Sequence, residues 1–278
     1  MQQRRDFLRA LSEASQDRLE LDEELGIRVK VAWPWITREH VYEHAHVSLH
    51  FFEVPDWEGE LHDRVHAALS WQHADAMSVA PMLPANGPVL KALCLPRTMG
   101  ITHAGEIGAA PQLARLDAAL AGGLRLVQIR EPGLASAERE TFAQAVADRC
   151  RQAGALVLVN DDAALARRIG ADGLHLPASR LAELDGRPAF EWVGASCHTR
   201  AELERAAALG LDYALLGAVK TTPSHPERTA LGWKAFAEMA GRLPMPVFAL
   251  GGLGAVDLCD AKAAGAHGIA AIRAVWKD

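Results

Sequence analysis

Two consecutive glycines near the end of the chain have the type and spacing needed to bind a phosphate group. Gly251 and Gly252 follow the apolar run Val247-Phe-Ala-Leu250, which has the composition of a buried strand. Two glycines after such a strand let backbone N–H groups approach a phosphate closely. The alternative is an ordinary tight turn. A second apolar run bearing glycines, Gly265-Ala-His-Gly268-Ile-Ala-Ala-Ile272, follows, and together the two runs predict a small phosphorylated ligand.

Polar side chains stand at the ends of the other apolar runs in the last two thirds of the chain. They are Gln128, Arg130, Asn160, Asp161, Ser196, His198 and Arg273. This hydrogen-bonding set, with a single strand-end carboxylate, suits an anion better than it suits a hydrolytic pair of carboxylates. Simpler alternatives exist: Gln128 and Arg130 alternate on one strand and could form a buried polar layer, and Asp161 could cap a helix. His198 could simply begin a helix, and His175, inside an apolar strand, is interpreted as structural.

The elements that would position these side chains alternate along the chain. Eight apolar runs predict strands at Thr98–Thr102, Leu124–Arg130, Ala155–Asn160, Gly173–Leu176, Glu191–Ser196, Tyr213–Gly217, Pro246–Leu250 and Gly268–Ile272. Helical patterns occur at Ala109–Ala121, Ser136–Ala153, Ala163–Ile169, Arg200–Leu209, Gly232–Arg242 and Ala255–Ala264. Strands that are apolar throughout and alternate with helices imply a parallel sheet buried on both faces. We therefore expect an α/β fold, a compact (β/α)8 TIM barrel whose strands end at one mouth.

Composition limits the classes of function. The chain has 278 residues, a net charge of −6 and 50% hydrophobic residues, which is typical of a globular protein and argues against nucleic-acid binding. No apolar run is long enough to span a membrane. Cys94, Cys150, Cys197 and Cys259 are widely scattered, without metal-ligand or disulfide spacing. With an N-terminus that lacks the apolar segment of a secretory signal, these features predict a cytoplasmic protein.

The chain changes character near Leu95. Four of the seven tryptophans and seven of the twelve histidines precede this residue, whereas the rest is rich in Ala, Leu and Gly. The segment Met82–Pro96 is typical of a closing helix followed by a short linker. We place a domain boundary at Pro96–Arg97, which gives a smaller α+β domain at 1–96 and the barrel at 97–278. In the smaller domain we expect strands at Ile27–Trp33 and Val47–Val54.

The barrel segment resembles the thiamine-phosphate synthase/TenI superfamily. The motifs, in order, are Gly100-Ile-Thr102, Val127-Gln-Ile-Arg-Glu131, Val159-Asn-Asp161, Gly170-Ala-Asp-Gly-Leu-His-Leu176, Gly194-Ala-Ser-Cys-His198, Asp212-Tyr-Ala-Leu-Leu-Gly217 and Gly251-Gly-Leu253. The resemblance implies a barrel that binds a small thiazole phosphate at its mouth. It assigns ligand contacts to Gln128, Arg130 and Asn160, a magnesium ligand to Asp161, and phosphate contacts to Thr222, Ser224, Gly251 and Gly252. Ser196 and Arg273 complete the predicted phosphate-binding set.

At three places the chain lacks a charged residue that the synthase pattern has. Glu131-Pro132 stands where a lysine is expected, Pro177-Ala-Ser-Arg180 where a second metal-binding aspartate is expected, and His225 where another lysine is expected. A synthase must release pyrophosphate, which needs magnesium and cations. The resemblance to the TenI branch instead implies a thiazole tautomerisation without metal, by general acid–base catalysis. His198 resembles the catalytic histidine of that branch, although the synthase also has a histidine in this motif.

The first third carries a second resemblance. Glu20, Glu23 and Glu24 have i, i+3, i+4 spacing, which places three carboxylates on one helix face. A solvated acidic face is the simplest interpretation, but Leu19-Glu-Leu-Asp-Glu-Glu-Leu-Gly-Ile27 resembles the second half of the Nudix box, whose glutamates hold Mg²⁺. Leu83-Pro-Ala-Asn-Gly-Pro-Val-Leu90 resembles a MutT-type 8-oxo-dGTP diphosphatase, in which Asn86 would contact an oxidised nucleotide. Because the box lacks its opening residues and so few residues precede it, we expect a truncated Nudix domain without its first strands.

Three functions therefore stay open at this point. The first is a metal-independent thiazole-phosphate tautomerase or a related thiamine enzyme, and the arrangement resembles bacterial MutT–TenI fusion proteins. The second is a magnesium-dependent hydrolase in the N-terminal domain. The third is a non-catalytic barrel that binds a phosphorylated ligand. The oligomeric state is open in all three.

Overall fold

Eight parallel strands close into a barrel, as the alternation of apolar runs predicts. The computed structural model describes residues 7–11, 24–43, 45–63, 68–222 and 229–276, with only the backbone described for 7–11. The barrel strands are β4 (Thr98–Ile101), β5 (Leu126–Ile129), β6 (Leu156–Asn160), β7 (Gly173–Leu176), β8 (Trp192–Cys197), β9 (Tyr213–Gly217), β10 (Val247–Leu250) and β11 (Gly268–Ala271). Each strand pairs with the next, and β11 pairs with β4 to close the circle. The prediction of a (β/α)8 barrel is confirmed.

Helices lie on the outside of the barrel, and all of those described except the first lie between consecutive barrel strands. Those described are α1 (Gly87–Leu93), α2 (Ala104–Ile107), α3 (Ala109–Ala121), α4 (Ser136–Gln152), α5 (Ala163–Arg168), α6 (Ala178–Leu181), α7 (Arg200–Ala208), α8 (Gly232–Ala240) and α9 (Leu258–Ala263). Two of them, α2 and α6, are single turns that sequence periodicity did not predict, because four residues are too few to show a 3.6-residue repeat. The predicted helix Ala255–Ala264 begins as a 3₁₀ turn over Ala255–Asp257 and becomes α-helical at Leu258. No helix among the described residues is long and apolar enough to cross a membrane.

Two apolar layers account for the closure of the barrel. Side chains that point inward, including Met99, Leu126, Leu158 and Phe248, form one fully buried cluster. Side chains that point outward pack under the helices in a second and larger cluster. A parallel strand with apolar side chains on both faces therefore loses contact with water on both faces, which explains why these runs do not alternate with polar residues.

A three-stranded antiparallel sheet precedes the barrel. Its strands are β1 (Phe7–Leu11), β2 (Arg28–Val41) and β3 (His46–Glu58), in the order β1-β3-β2. The expected strands at Ile27–Trp33 and Val47–Val54 are present but much longer. The expectation that no strand precedes the acidic segment is wrong, because β1 pairs with β3 along its whole length. Such pairing satisfies one edge of β3, which would otherwise expose backbone donors and acceptors.

This sheet covers the amino-terminal end of the barrel. The Thr37 amide donates to the Leu243 carbonyl at 2.9 Å, and Trp35 Nε1 donates to Nδ1 of the buried His267 at 3.1 Å. Glu53 is buried with Arg97 and Lys262, and each cation lies 2.7 Å from its carboxylate. The sheet therefore packs against the end of the barrel opposite to the carboxyl ends of the strands.

The helix α1 packs beside the same end. Lys91 Nζ donates to Asp212 Oδ1 and to the Glu191 carbonyl, both at 2.7 Å, and lies 4.6 Å from the centroid of the Trp192 ring. These residues are at the starts of β8 and β9. The connection between the sheet and the barrel thus leaves the carboxyl ends of the strands uncovered.

Candidate functional site

A buried hydrogen-bonded chain lies inside the barrel below its mouth. His175 Nδ1 lies 2.9 Å from the Tyr213 hydroxyl, and His175 Nε2 lies 2.9 Å from Ser196 Oγ. Burial, helped by the positive charge of Arg130, lowers the pKa of His175 to about 3. The imidazole is therefore neutral near neutral pH, so one nitrogen donates and the other accepts. The interpretation of His175 as a structural residue agrees with this arrangement, which fixes the Ser196 hydroxyl.

Gln128 occupies the same interior layer with an unused donor. Its side chain is fully buried, and Nε2 has no hydrogen-bond partner among the described residues. Asn160 stands in register with His175 on the neighbouring strand and is half-buried. An unpaired buried amide costs about 1–3 kcal/mol, so such a group in a native protein calls for an explanation. A ligand with an acceptor inside the mouth would provide one.

The glycine turn after β10 has a backbone that side chains would not tolerate. Gly251 and Gly252 have φ values of 104° and 65°. A Cβ built on Gly251 would lie 2.5 Å from Cβ of Ala218, and one on Gly252 would lie 2.9 Å from Cβ of Lys220. No described residue accepts a hydrogen bond from the amides of Gly252 and Leu253. These two amides are therefore available to an anion.

The two hydroxyl residues predicted to contact the phosphate belong to the loop after β9. Thr222 is half-buried just beyond Thr221, whose carbonyl oxygen would lie 2.9 Å from a Cβ built on Gly252. Ser224 lies outside the described residues.

Glu131 organises the loop that follows β4. Its two carboxylate oxygens accept hydrogen bonds from the amides of Ala104 and Gly105, at 2.7 and 2.8 Å. The preceding residue, His103, is buried, and its Nδ1 has no partner among the described residues. Burial lowers the pKa of His103, which favours its neutral form. Glu131 thus uses its charge to hold a loop at the mouth.

Two ion pairs lie at the rim. Arg180 Nε donates to Asp161 Oδ1 at 2.9 Å, and the same guanidinium also donates to Glu183 at 3.2 Å. Asp161 has a φ of 55°, a conformation that short polar residues tolerate. Across the mouth, Arg273 Nη2 contacts both carboxylate oxygens of Glu106, at 3.1 and 2.9 Å. Both pairs are partly exposed, so their side chains can exchange partners with a ligand.

His198 lies at the rim between β8 and β9. Its ring is exposed, and Nδ1 is 3.3 Å from the Gly217 carbonyl oxygen. Its amide donates to Glu202 Oε2 at 2.6 Å, immediately before the helix cap formed by Thr199. When Nδ1 carries the proton and donates to Gly217, Nε2 is an acceptor that faces away from that bond. The residue therefore has both the helix-start position and a ring nitrogen, Nε2, that no described residue binds.

Comparison with known proteins identifies the barrel. The family model described as thiamine monophosphate synthase matches residues 98–275. The chain belongs to this family. A thiamine-phosphate synthase from Thioalkalivibrio sulfidiphilus is 38% identical over 169 residues, which cover 59% of this chain and 79% of that protein. A putative thiamine-phosphate synthase from Geobacter sulfurreducens is 37% identical over 184 residues, which cover 64% of this chain and 85% of that protein.

A solved structure shows the same fold. The thiamine phosphate pyrophosphorylase from Pyrococcus furiosus has a TM-score of 0.54 and 24% sequence identity, and the match covers 63% of this chain and 85% of that chain. The sheet and α1 precede the residues that the thiamine monophosphate synthase family model matches. The match begins at residue 98, and the division into two domains at Pro96–Arg97 stays a prediction.

The fold brings most of the predicted ligand contacts to the family's barrel mouth. Because parallel strands point the same way, the carboxyl ends of the strands place Gln128, Arg130, Asn160, Ser196, Gly251, Gly252 and Arg273 at one end. His198 and Asp161 follow β8 and β6 at the same end. Their individual roles stay predictions.

The Nudix prediction concerns the part of the chain that precedes the barrel. Glu20 and Glu23 lie outside the described residues, and Glu24 is half-buried just before Gly26. Asn86 donates through Nδ2 to the Met82 sulfur at 3.6 Å, and it directly precedes α1, which packs at the amino-terminal end of the barrel. The Nudix box and the oxidised nucleotide stay predictions from sequence.

Sequence reasoning did not predict a role for three residues at the mouth of this thiamine monophosphate synthase barrel. Glu131 and Arg180 stood out only as departures from a motif, and the sequence gives no sign that Glu131 binds amides or that Arg180 reaches Asp161. Lys220 carried no signal, because its partner Asp257 is 37 positions away. In each case the information lies in contacts between different strand ends.

Proposed function

We propose that the barrel binds a thiazole phosphate and catalyses a metal-independent tautomerisation rather than the complete synthase reaction. The contact between Asp161 and Arg180 is the main support. The resemblance assigns a magnesium ligand to Asp161 and expects a second acidic ligand where this chain has Pro177-Ala-Ser-Arg180. Arg180, in that segment, instead places its guanidinium Nε 2.9 Å from Asp161 Oδ1. A cation next to this carboxylate opposes the binding of a divalent cation there.

The donor set at the mouth also does not fit magnesium. Among the residues that the structure describes, no three His, Cys, Asp or Glu side chains come close enough to hold a metal ion. Glu131 accepts hydrogen bonds from backbone amides. It belongs to the pair Glu131-Pro132, where the synthase pattern has a lysine. A departing pyrophosphate needs cations, and a buried carboxylate at this place disfavours it. The proposed reaction therefore uses no metal ion.

Tautomerisation asks less of the site. It moves a proton from one position of the ligand to another, so the ligand keeps its composition and no group leaves. With Nδ1 bonded to the Gly217 carbonyl, Nε2 of His198 accepts the proton and returns it at the second position. The glycine turn holds the phosphate, while Ser196 and Gln128 offer hydrogen bonds to the thiazole.

The test compares two reactions with the full chain. With a thiazole phosphate tautomer, we expect turnover that persists in EDTA and falls about 10²–10⁴-fold in His198→Ala, the range for general acid–base catalysis. Binding of the thiazole phosphate should persist in this variant. His73→Ala, an exposed histidine outside the barrel, is the matched control and should keep full turnover.

An assay of the synthase reaction tests the alternative to a tautomerase. With a pyrimidine diphosphate, a thiazole phosphate and Mg²⁺, we expect no release of pyrophosphate. Magnesium-dependent release by the unmodified chain would overturn the tautomerase proposal and make the protein a complete synthase. Binding without turnover in either assay would support the third candidate, a non-catalytic barrel.

A further inference from the structure

Lys220 and Asp257 form an ion pair that joins two loops of the mouth. Lys220 Nζ lies 2.6 Å from Asp257 Oδ1, and Asp257 Oδ2 accepts a hydrogen bond from the Gly254 amide at 2.9 Å. Asp257 is buried, whereas the Lys220 side chain is 48% exposed. The hydrogen bond from Lys220 lowers the pKa of Asp257, as does the bond from the Gly254 amide. The carboxylate is thus anchored, and the ammonium is the partner that can move.

The backbone of Lys220 packs directly on the glycine turn. Its amide donates to the Gly251 carbonyl at 3.1 Å. A Cβ on Gly252 would lie 2.9 Å from Cβ of Lys220, so the lysine side chain leaves the backbone beside the turn. It then reaches the 3₁₀ turn Ala255–Asp257. The ammonium therefore lies beside the loop that follows the glycine turn, where Asp257 also accepts from the Gly254 amide.

A full positive charge beside the amides of Gly252 and Leu253 would strengthen the binding of a phosphate monoester. Such an ester carries a charge of about −1.5 to −2 near neutral pH. Amide dipoles contribute only partial charges, and the guanidinium of Arg273, which follows the neighbouring strand β11, is paired with Glu106. An ammonium has three donors, of which one contacts Asp257, so the others can reach phosphate oxygens without breaking the pair.

We propose that Lys220, held beside the glycine turn by Asp257, is the cation that binds the phosphate of the ligand. This proposal rests on the proposed function, because it concerns the same phosphate site. It adds a specificity-determining residue to the site: Lys220 favours phosphorylated thiazoles over thiazoles with a free hydroxyl. The competing explanation is that the ion pair only ties the two loops together.

Two ligands distinguish these explanations. Isothermal titration of the full chain would use a thiazole phosphate monoester and the same thiazole with a free hydroxyl. We expect Lys220→Met to weaken binding of the phosphate ester at least roughly tenfold, as expected for loss of a charge-assisted hydrogen bond. Affinity for the unphosphorylated thiazole should not change. Lys220→Arg should retain most of the affinity, and Lys234→Met, an exposed lysine on α8, is the control.

Each remaining outcome has a defined meaning. Equal weakening of both ligands in Lys220→Met would overturn the proposal in favour of a tie between loops, and so would unchanged affinity for the phosphate ester. Failure of the unmodified chain to bind either ligand would instead contradict the proposed function. Circular dichroism checks folding, and Lys220→Gln, which keeps a polar head group, provides the same comparison if Lys220→Met does not fold.

Discussion

The two ends of the barrel differ in whether their buried polar side chains have hydrogen-bond partners. At the amino-terminal end, His267 accepts hydrogen bonds from Trp35 and Arg97 through Nδ1 and donates through Nε2 to the Leu95 carbonyl. At the mouth, Gln128 Nε2 and His103 Nδ1 are buried without partners among the described residues. Because native proteins rarely leave such groups unpaired, this difference separates an end built for stability from an end built for a ligand.

Ion pairs show the same contrast. Glu53 is 3% exposed between Arg97 and Lys262, so its charge is shielded from water by the N-terminal sheet. Asp161 and Arg180 are 36% and 50% exposed. A buried charge that loses its partner is strongly destabilising, whereas an exposed pair contributes little. Substitutions at the two ends should therefore change different measurements.

The largest expected effect on stability is at Glu53. Glu53→Gln leaves two cations near a neutral amide, so we expect the free energy of unfolding to fall by about 3–5 kcal/mol. Urea unfolding followed by circular dichroism measures this change. Glu60→Gln, at a side chain that is 89% exposed, is the control and should change stability by less than about 0.5 kcal/mol. A similar value for both variants would show that Glu53 is not a structural centre.

The second effect concerns pH. Burial is the main cause that lowers the pKa of His267 well below its ordinary value. In the unfolded chain this imidazole is protonated below about pH 6.5, whereas in the folded chain it stays neutral. Its contribution to stability is therefore complete above that pH and is lost as the pH falls toward the folded pKa. The slope is about 1.4 kcal/mol per pH unit for each such histidine. Urea unfolding at several pH values between 7 and 5 gives the change in the free energy of unfolding per pH unit. In His267→Gln this change should correspond to about one proton fewer taken up on unfolding. An unchanged pH dependence would contradict a neutral buried His267.

The third effect belongs to the mouth. Gln128→Leu replaces an unpaired buried amide with an apolar group of similar size, so stability should change by less than about 1 kcal/mol. Affinity for a thiazole phosphate should fall roughly tenfold, or about 1.4 kcal/mol. Unfolding and titration of the same sample separate the two quantities, with Gln144→Leu on α4 as control. A large loss of stability without loss of binding would place Gln128 with the structural residues.

The smallest effect is expected at the exposed ion pair. Arg180→Ala removes a contact of 2.9 Å, similar in length to those of Glu53, yet stability should fall by less than about 1 kcal/mol. Urea unfolding of this variant beside Glu53→Gln compares the two ends directly. A cost near 3 kcal/mol at Arg180 would remove the contrast between them.

The sequence was sufficient for the barrel and for the direction of its mouth. Apolar runs such as Val247–Leu250 show their burial in composition alone, and glycines at their ends mark positive φ values. It was not sufficient for β1 or for the docking of the N-terminal sheet. The bond between Trp35 and His267 joins residues 232 positions apart, and no local pattern encodes such a contact. The same reason hid the pairing of Arg180 with Asp161.

A crystal structure with a bound thiazole phosphate monoester tests the central claim most directly. The account predicts that the phosphate oxygens accept hydrogen bonds from the amides of Gly252 and Leu253, with the thiazole ring directed toward Gln128 and Ser196. A ligand bound elsewhere on the molecule, or a glycine turn closed off by side chains in the presence of saturating ligand, would contradict it.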